Sequence, residues 1–144
     1  MSSRRPYINV GEVIAGDPAW HGRTVFCLYP HQDYYVVPTD AIQEVPNGVP
    51  AHRAVLAAGL ETALNGVWDG GAAPGDRITV IGGGVIGLLV AWVCRQLPGA
   101  TVTLVDPLAE RAQPAAALGI DWSAAPPTTP ADRVFHASAT PQGL

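Results

Sequence analysis

Apolar positions follow three spacings along the chain, and each predicts a different kind of element. In the first third, β-branched and aromatic residues come in short runs between turn formers. Residues 7–14 (YINVGEVI), 24–29 (TVFCLY) and 34–37 (YYVV) each read as a strand, with Pro30-His31-Gln32-Asp33 as the loop between the last two. Over 51–68, Val55, Leu56, Leu60, Ala63, Leu64 and Val67 recur at helical spacing, which predicts one or two helices with Gly59 as a candidate break. Residues 69–76 form a turn-rich connector.

The pattern then tightens into continuous apolar runs. Residues 77–81 (RITVI) and 101–105 (TVTLV) suit strands buried on both faces. Between them, 84–97 predicts a helix that is apolar nearly all round and is stopped by Leu97-Pro98-Gly99. A second helix is expected from about 108 to 118, with Pro114 removing a backbone hydrogen bond or kinking it and Gly119 at its C-terminus. Residues 124–130 read as a surface loop, and 133–137 (RVFHA) as a third parallel strand.

Composition narrows the functional classes. With 144 residues, 48% hydrophobic and 14% charged, the chain suits one folded domain, or one and part of another. Its 8 basic and 12 acidic residues are scattered singly, and Arg4-Arg5 is the largest basic cluster, which argues against nucleic acid as a partner. Every basic residue is arginine, so Schiff-base chemistry and a Walker-type phosphate lysine are excluded. Cys27 and Cys94 fall in different elements and read as small apolar residues. No stretch reaches the roughly 20 apolar residues of a membrane span, and no apolar signal core follows the N-terminal arginines, so no membrane partner and a cytoplasmic location are expected.

The strongest chemical signal is the loop Gly82-Gly83-Gly84-Val85-Ile86-Gly87. Glycine is common here, 16 of 144 residues, so the pattern alone is weak. Its context is specific: the loop follows a strand, opens a helix, and a second strand ends in Asp106, nineteen positions after Gly87. Gly82 would permit the tight turn, Gly84 a close approach of backbone to a pyrophosphate, and Gly87 close packing of the helix. The helix N-terminus would supply free N–H groups and partial positive charge. Asp106 would accept hydrogen bonds from the adenosine ribose and repel the 2′-phosphate of NADP, so NAD is the expected cofactor.

These residues resemble the medium-chain dehydrogenase/reductases that include the zinc-type alcohol dehydrogenases. The likeness runs through Gly22-Arg23-Thr24-Val25-Phe26, Tyr34-Tyr35-Val36-Val37-Pro38, residues 57–64 (AAGLETAL), Pro74-Gly75-Asp76 and the glycine loop. It implies an α/β fold, a partial Rossmann parallel sheet with helices, preceded by a small β-rich remnant of a GroES-like domain. The divisions would be 1–50 (β-rich), 51–76 (connecting helices and linker) and 77–144 (dinucleotide-binding). The chain would correspond to the middle of such an enzyme, without the first zinc ligands and the last Rossmann strands.

The resemblance also implies roles. Thr62 would lie near the nicotinamide ring and Ile86 would back it; Val85 belongs to the same cofactor-binding turn. Asp106 with Arg111 would border the adenosine ribose, and Ala137 and Ser138 would flank the adenine side of the cleft. The position of a later zinc ligand falls near Ala58, which cannot bind metal, so no zinc is expected. His21, His31, His52 and His136 have no partner at ligand spacing. His31, in its loop, is the best proton-transfer candidate, and Glu61 is the carboxylate placed near the nicotinamide end.

Three functions follow as expectations. The first is an NAD(H)-binding oxidoreductase passing hydride between nicotinamide and a small alcohol or carbonyl. The second is a non-catalytic nucleotide-binding or assembly module. The third is a cleft repurposed for another small ligand. A sheet ending early would expose an edge, so self-association or a partner chain is expected under the first two.

Overall fold

The computed structural model describes residues 8–139. The expected strand start at Tyr7 and the Arg4-Arg5 pair lie outside them. The chain divides between Ala58 and Gly59 into two compact units.

The first unit is built on a three-stranded antiparallel sheet, β1 (Ile8–Glu12), β2 (Thr24–Leu28) and β3 (Ile42–Glu44), with β2 in the centre. Ile8 pairs with Leu28 and Glu12 with Thr24, while Cys27 pairs with Ile42 on the other side. Alternation along β2 buries Val25 and Cys27 on one face. The strand expected at 34–37 does not form. It joins neither outer edge of the sheet: Tyr34 and Val36 are 78% and 94% exposed, and Tyr35 stacks on Tyr29 instead. Its β-branched and aromatic composition is real, but composition alone does not make a strand.

The helical stretch is two helices, α1 (Ala51–Ala54) and α2 (Ala57–Asp69), and the break falls at Val55-Leu56 rather than at Gly59. Gly59 lies inside α2. A Cβ there would come within 3.1 Å of a Leu89 methyl, so the glycine serves close packing between helices.

The second unit holds a four-stranded, all-parallel sheet: β4 (Arg77–Ile81), β5 (Thr101–Val105), β6 (Asp121–Ser123) and β7 (Arg133–His136). The spatial order is β6-β5-β4-β7. The segment expected as a third strand is therefore the fourth, lying on the far side of β4, because β6 takes the third place. That three-residue strand begins with Asp121 and carries too little apolar pattern to be read locally.

Helix α3 (Val85–Arg95) joins β4 to β5, and α4 (Ala112–Ala117) joins β5 to β6. Ile78, Val80, Val102 and Leu104 from the strands pack against Val90, Ala91 and Cys94 of α3 and Ala115 of α4 in one core. Pro114 does not kink a helix as expected. A single 3-10 turn (Ala109–Arg111) precedes α4, so Pro114 falls in the first helical turn, where an N–H would lack an intrahelical partner anyway. Gly119 ends α4 with φ +68°, and the Gly119 and Ile120 N–H groups donate to the Ala116 and Ala115 carbonyls at 2.9 and 3.0 Å.

At the amino end of the sheet the Arg77 N–H donates to the Asp132 carboxylate at 2.8 Å. That hydrogen bond, with the Arg77 guanidinium beside it, holds the Asp132 carboxyl below the usual range. Among the described residues no helix is long and apolar enough to cross a membrane.

Candidate functional site

The carboxyl ends of β4, β5 and β7 converge on the glycine loop. Since the chain runs outward from β4 in both directions, the gap between β4 and β7 is the switch point of an open parallel sheet, where such folds bind ligands. Each glycine is there for a different reason. Gly82 turns with φ +105°, and a Cβ on it would lie 2.7 Å from the Ser138 nitrogen. A Cβ on Gly87 would lie 1.8 Å from the Gly82 carbonyl oxygen, so this first-turn glycine lets α3 close on the loop.

Gly84 is the opposite case. Its φ of −73° suits any residue, and a Cβ there would meet no atom within 4 Å. Packing within the unit does not require glycine at this position; a ligand pressed against the backbone would. No side chain caps α3, whose N-terminus begins at Gly84. An uncapped 11-residue helix opening beside a bare backbone provides the donors and the dipole that a pyrophosphate needs.

Asp106 is half-buried one residue past β5, and the loop itself aims its carboxylate. Oδ2 accepts the Gly83 N–H at 2.6 Å and Oδ1 accepts the Leu108 N–H at 2.9 Å. Each oxygen keeps a lone pair for a further donor. Gly83 is confined by the same group: a Cβ there would lie 3.0 Å from Arg111 carbons and 3.2 Å from the Asp106 Cβ. Arg111 thus lines this side, with its Nε buried and lacking a hydrogen-bond partner among the described residues. Gly83 and the Leu108 N–H went unread in the sequence; the glycine triplet was the only signal for the first.

On the β7 side, Ala137 and Ser138 lie against Gly82 and Gly87, so they border the loop directly. His136, passed over as a lone histidine, is bonded through Nε2 to the Ser138 hydroxyl at 3.0 Å. Near the start of α3, a Cβ on Gly59 would be 3.5 Å from a methyl of Ile86. Glu61 and Thr62 follow in α2, both exposed.

His31 belongs to the first unit, where its Nδ1 lies 3.2 Å from the Asn9 side-chain oxygen. No group of three or more His, Cys, Asp or Glu side chains able to hold a metal occurs among the described residues. Cys94 is fully buried, and burial pushes its thiol up to about 11, so it stays protonated and inert at neutral pH.

No family model matches the chain. Its sequence is 37% identical over 84 residues to a zinc-type alcohol dehydrogenase-like protein of Haemophilus influenzae, covering 58% of this chain and 24% of that protein. It is 32% identical to the alcohol dehydrogenase TADH from Thermus sp. ATN1, with a TM-score of 0.52 over 57% of this chain and 24% of the other. Over the matched residues the chain is similar to zinc-type alcohol dehydrogenases. The chain spans about a quarter of the length of the curated proteins it matches. The fold likeness reaches further. L-idonate 5-dehydrogenase from Escherichia coli K-12 superposes with a TM-score of 0.71 over 93% of this chain and 52% of that enzyme, at 18% identity. Two more proteins of this fold were solved with cofactor, a quinone oxidoreductase from Thermus thermophilus with NADPH and an alcohol dehydrogenase from E. coli CFT073 with NADH.

Proposed function

We propose that the second unit binds NAD(H) across the glycine loop and serves an oxidoreductase that moves hydride between the nicotinamide and an alcohol or carbonyl. The open space at Gly84 carries this reading, because nothing among the described residues accounts for a glycine there. The pyrophosphate would lie on the α3 N-terminus, and the adenosine ribose would donate to the remaining lone pairs of Asp106. A carboxylate in that place disfavours a 2′-phosphate, so NADH is preferred to NADPH. Arg111 would flank the adenosine. Ile86 would back the nicotinamide, and Thr62 on α2 would bring its hydroxyl, with Glu61 beside it, towards the reacting end.

The nicotinamide supplies the hydride chemistry when bound. This chain supplies the cradle, the oriented carboxylate and a polar hydroxyl.

The second reading is a nucleotide-binding module without catalysis.

Fluorescence titration with NADH tests the binding claim. A dissociation constant below about 1 mM is expected, and Gly84→Ala is expected to weaken it at least about tenfold, or 1.4 kcal/mol, while lowering the thermal midpoint by only a few degrees, the cost of alanine in place of glycine at a helix N-cap. Equal affinity in Gly84→Ala would remove the cradle from the account. Turnover with a panel of alcohols and aldehydes then separates enzyme from module.

A further inference from the structure

We propose that the first unit holds a small-molecule site of its own, a cavity over one face of its sheet that takes an organic cation, an ammonium with an apolar body. The site uses no part of the glycine loop and is independent of the nucleotide reading.

The cavity measures about 910 Å³, towards the top of the roughly 300 to 1,000 Å³ usual for ligand sites. Its floor is one face of the antiparallel sheet. Gly11 pairs with Val25 and Cys27 with Ile42, so alternation puts these four on the same side. Tyr35 closes the Cys27 end: it stacks on Tyr29 with ring centroids 4.6 Å apart, and its hydroxyl lies against the Cys27 thiol. Trp20, whose ring has the Arg23 guanidinium 5.7 Å from its centroid, lines the cavity as well. Residues 33–37 wall it, and their strand-like residue types serve there instead of in the sheet.

Gly11 points to an occupant. Its backbone is ordinary strand, outside the positive-φ region, so conformation does not require glycine. A Cβ there would meet no atom within 4 Å, so packing does not require it either. Glycine inside a strand weakens it, and one without a turn or a close neighbour marks a place where something else approaches the backbone. The side on which Gly11 is bare is the side of Val25, and both line the cavity.

The lining fixes the class of ligand. Val25, Ile42 and the rings of Trp20, Tyr34 and Tyr35 make it largely apolar. Glu12, Asp17 and Asp33 also line it, and no arginine or histidine of the described residues does. Acids of one sign around an apolar cleft focus a negative potential into it. Arg23, beside Trp20, does not cancel that potential, because its guanidinium is paired with Glu44. Asp17 Oδ1 accepts the Ala19 N–H at 2.9 Å and its second oxygen stays available. Carboxylates alone would be solvated surface. Beside aromatic faces and a bare strand they suit an ammonium, attracted by charge and by the ring faces, while its apolar body lies over Gly11 and Val25. An anion would be repelled, and a neutral ligand would leave the acids unused.

Calorimetric titration of the whole chain with benzyltrimethylammonium tests this. Binding is expected, with the neutral analogue benzyl alcohol at least about tenfold weaker. Gly11→Val places a branched side chain in the cavity at a strand position that favours one, and it should abolish binding without lowering the thermal midpoint. Asp33→Asn should weaken binding of the cation and leave that of benzyl alcohol unchanged. No binding of the cation, equal affinity for the neutral analogue, or wild-type affinity in Gly11→Val would each overturn the proposal. So would a chain that is dimeric in the ultracentrifuge and becomes monomeric as Gly11→Val, since a second copy would then be the occupant. If Gly11→Val lowers the midpoint, Asp33→Asn decides: wild-type affinity for the cation in that variant overturns the proposal.

Discussion

Gly87→Ala is expected to destabilise the second unit by about 3 kcal/mol, lowering its thermal midpoint by roughly 12 to 24 °C, and to abolish NADH binding. The cause is one atom. A methyl group on residue 87 would lie 1.8 Å from the Gly82 carbonyl oxygen, which belongs to the backbone of the loop and cannot rotate away. Either α3 shifts off the end of β4, or the loop opens and the Gly82 N–H loses its 2.8 Å bond to the Val105 carbonyl. Both outcomes damage the core around Val90, Ala91 and Cys94. Differential scanning calorimetry on the variant checks the stability claim. A midpoint within a degree or two of wild type would show that the loop accommodates a side chain and that its closure is not what the glycine provides.

Asp106→Ala is expected to act mainly on the cofactor. It removes the acceptor for the Gly83 and Leu108 N–H groups, which now lie 2.6 and 2.9 Å from its oxygens, and with it the anchor for the ribose. Hydrogen bonds to a charged group contribute about 1.5 to 3 kcal/mol, so NADH affinity should fall by about tenfold to a hundredfold. The proposed preference for NADH over NADPH should shrink at the same time, because the carboxylate proposed to repel the 2′-phosphate is gone while Arg111 stays. Parallel titrations with the two reduced cofactors measure both effects. An unchanged preference would show that Asp106 orders the loop without reading the ribose.

The contrast between Gly84 and Gly87 shows what the sequence could reveal. The glycine pattern, the strands at 77–81 and 101–105 and the acid at 106 were all legible, because each depends on a few consecutive residues. β4 and β5 announce themselves as apolar β-branched runs, and the observed strands match those ranges residue for residue. β3 and β6 went unread because three residues such as Asp121-Trp122-Ser123 become a strand only when a neighbour offers an edge. The failure at 34–37 is the converse: Tyr34 to Val37 have the residue types of a strand, but the segment pairs with no strand of the sheet.

The same distinction holds at the site. Gly82, Gly84 and Gly87 could be assigned roles from spacing, whereas the role of Gly83 and the place of the His136–Ser138 pair arise from contacts across the sheet. Gly83 meets a carboxylate 23 residues away, and Ser138 meets Gly82 only because β7 pairs with β4. Pro114 makes the point on a small scale, since its effect depends on where α4 starts, which in turn depends on the 3-10 turn before it.

Amide hydrogen exchange with and without NADH tests the central claim most directly, because it reports where the cofactor lies without requiring turnover. Saturating NADH should slow exchange in peptides spanning residues 82–88 and 106–111, with the strongest protection at the start of α3. Exchange that is unchanged there, or protection confined to the first unit, would contradict the assignment of the glycine loop as the dinucleotide site.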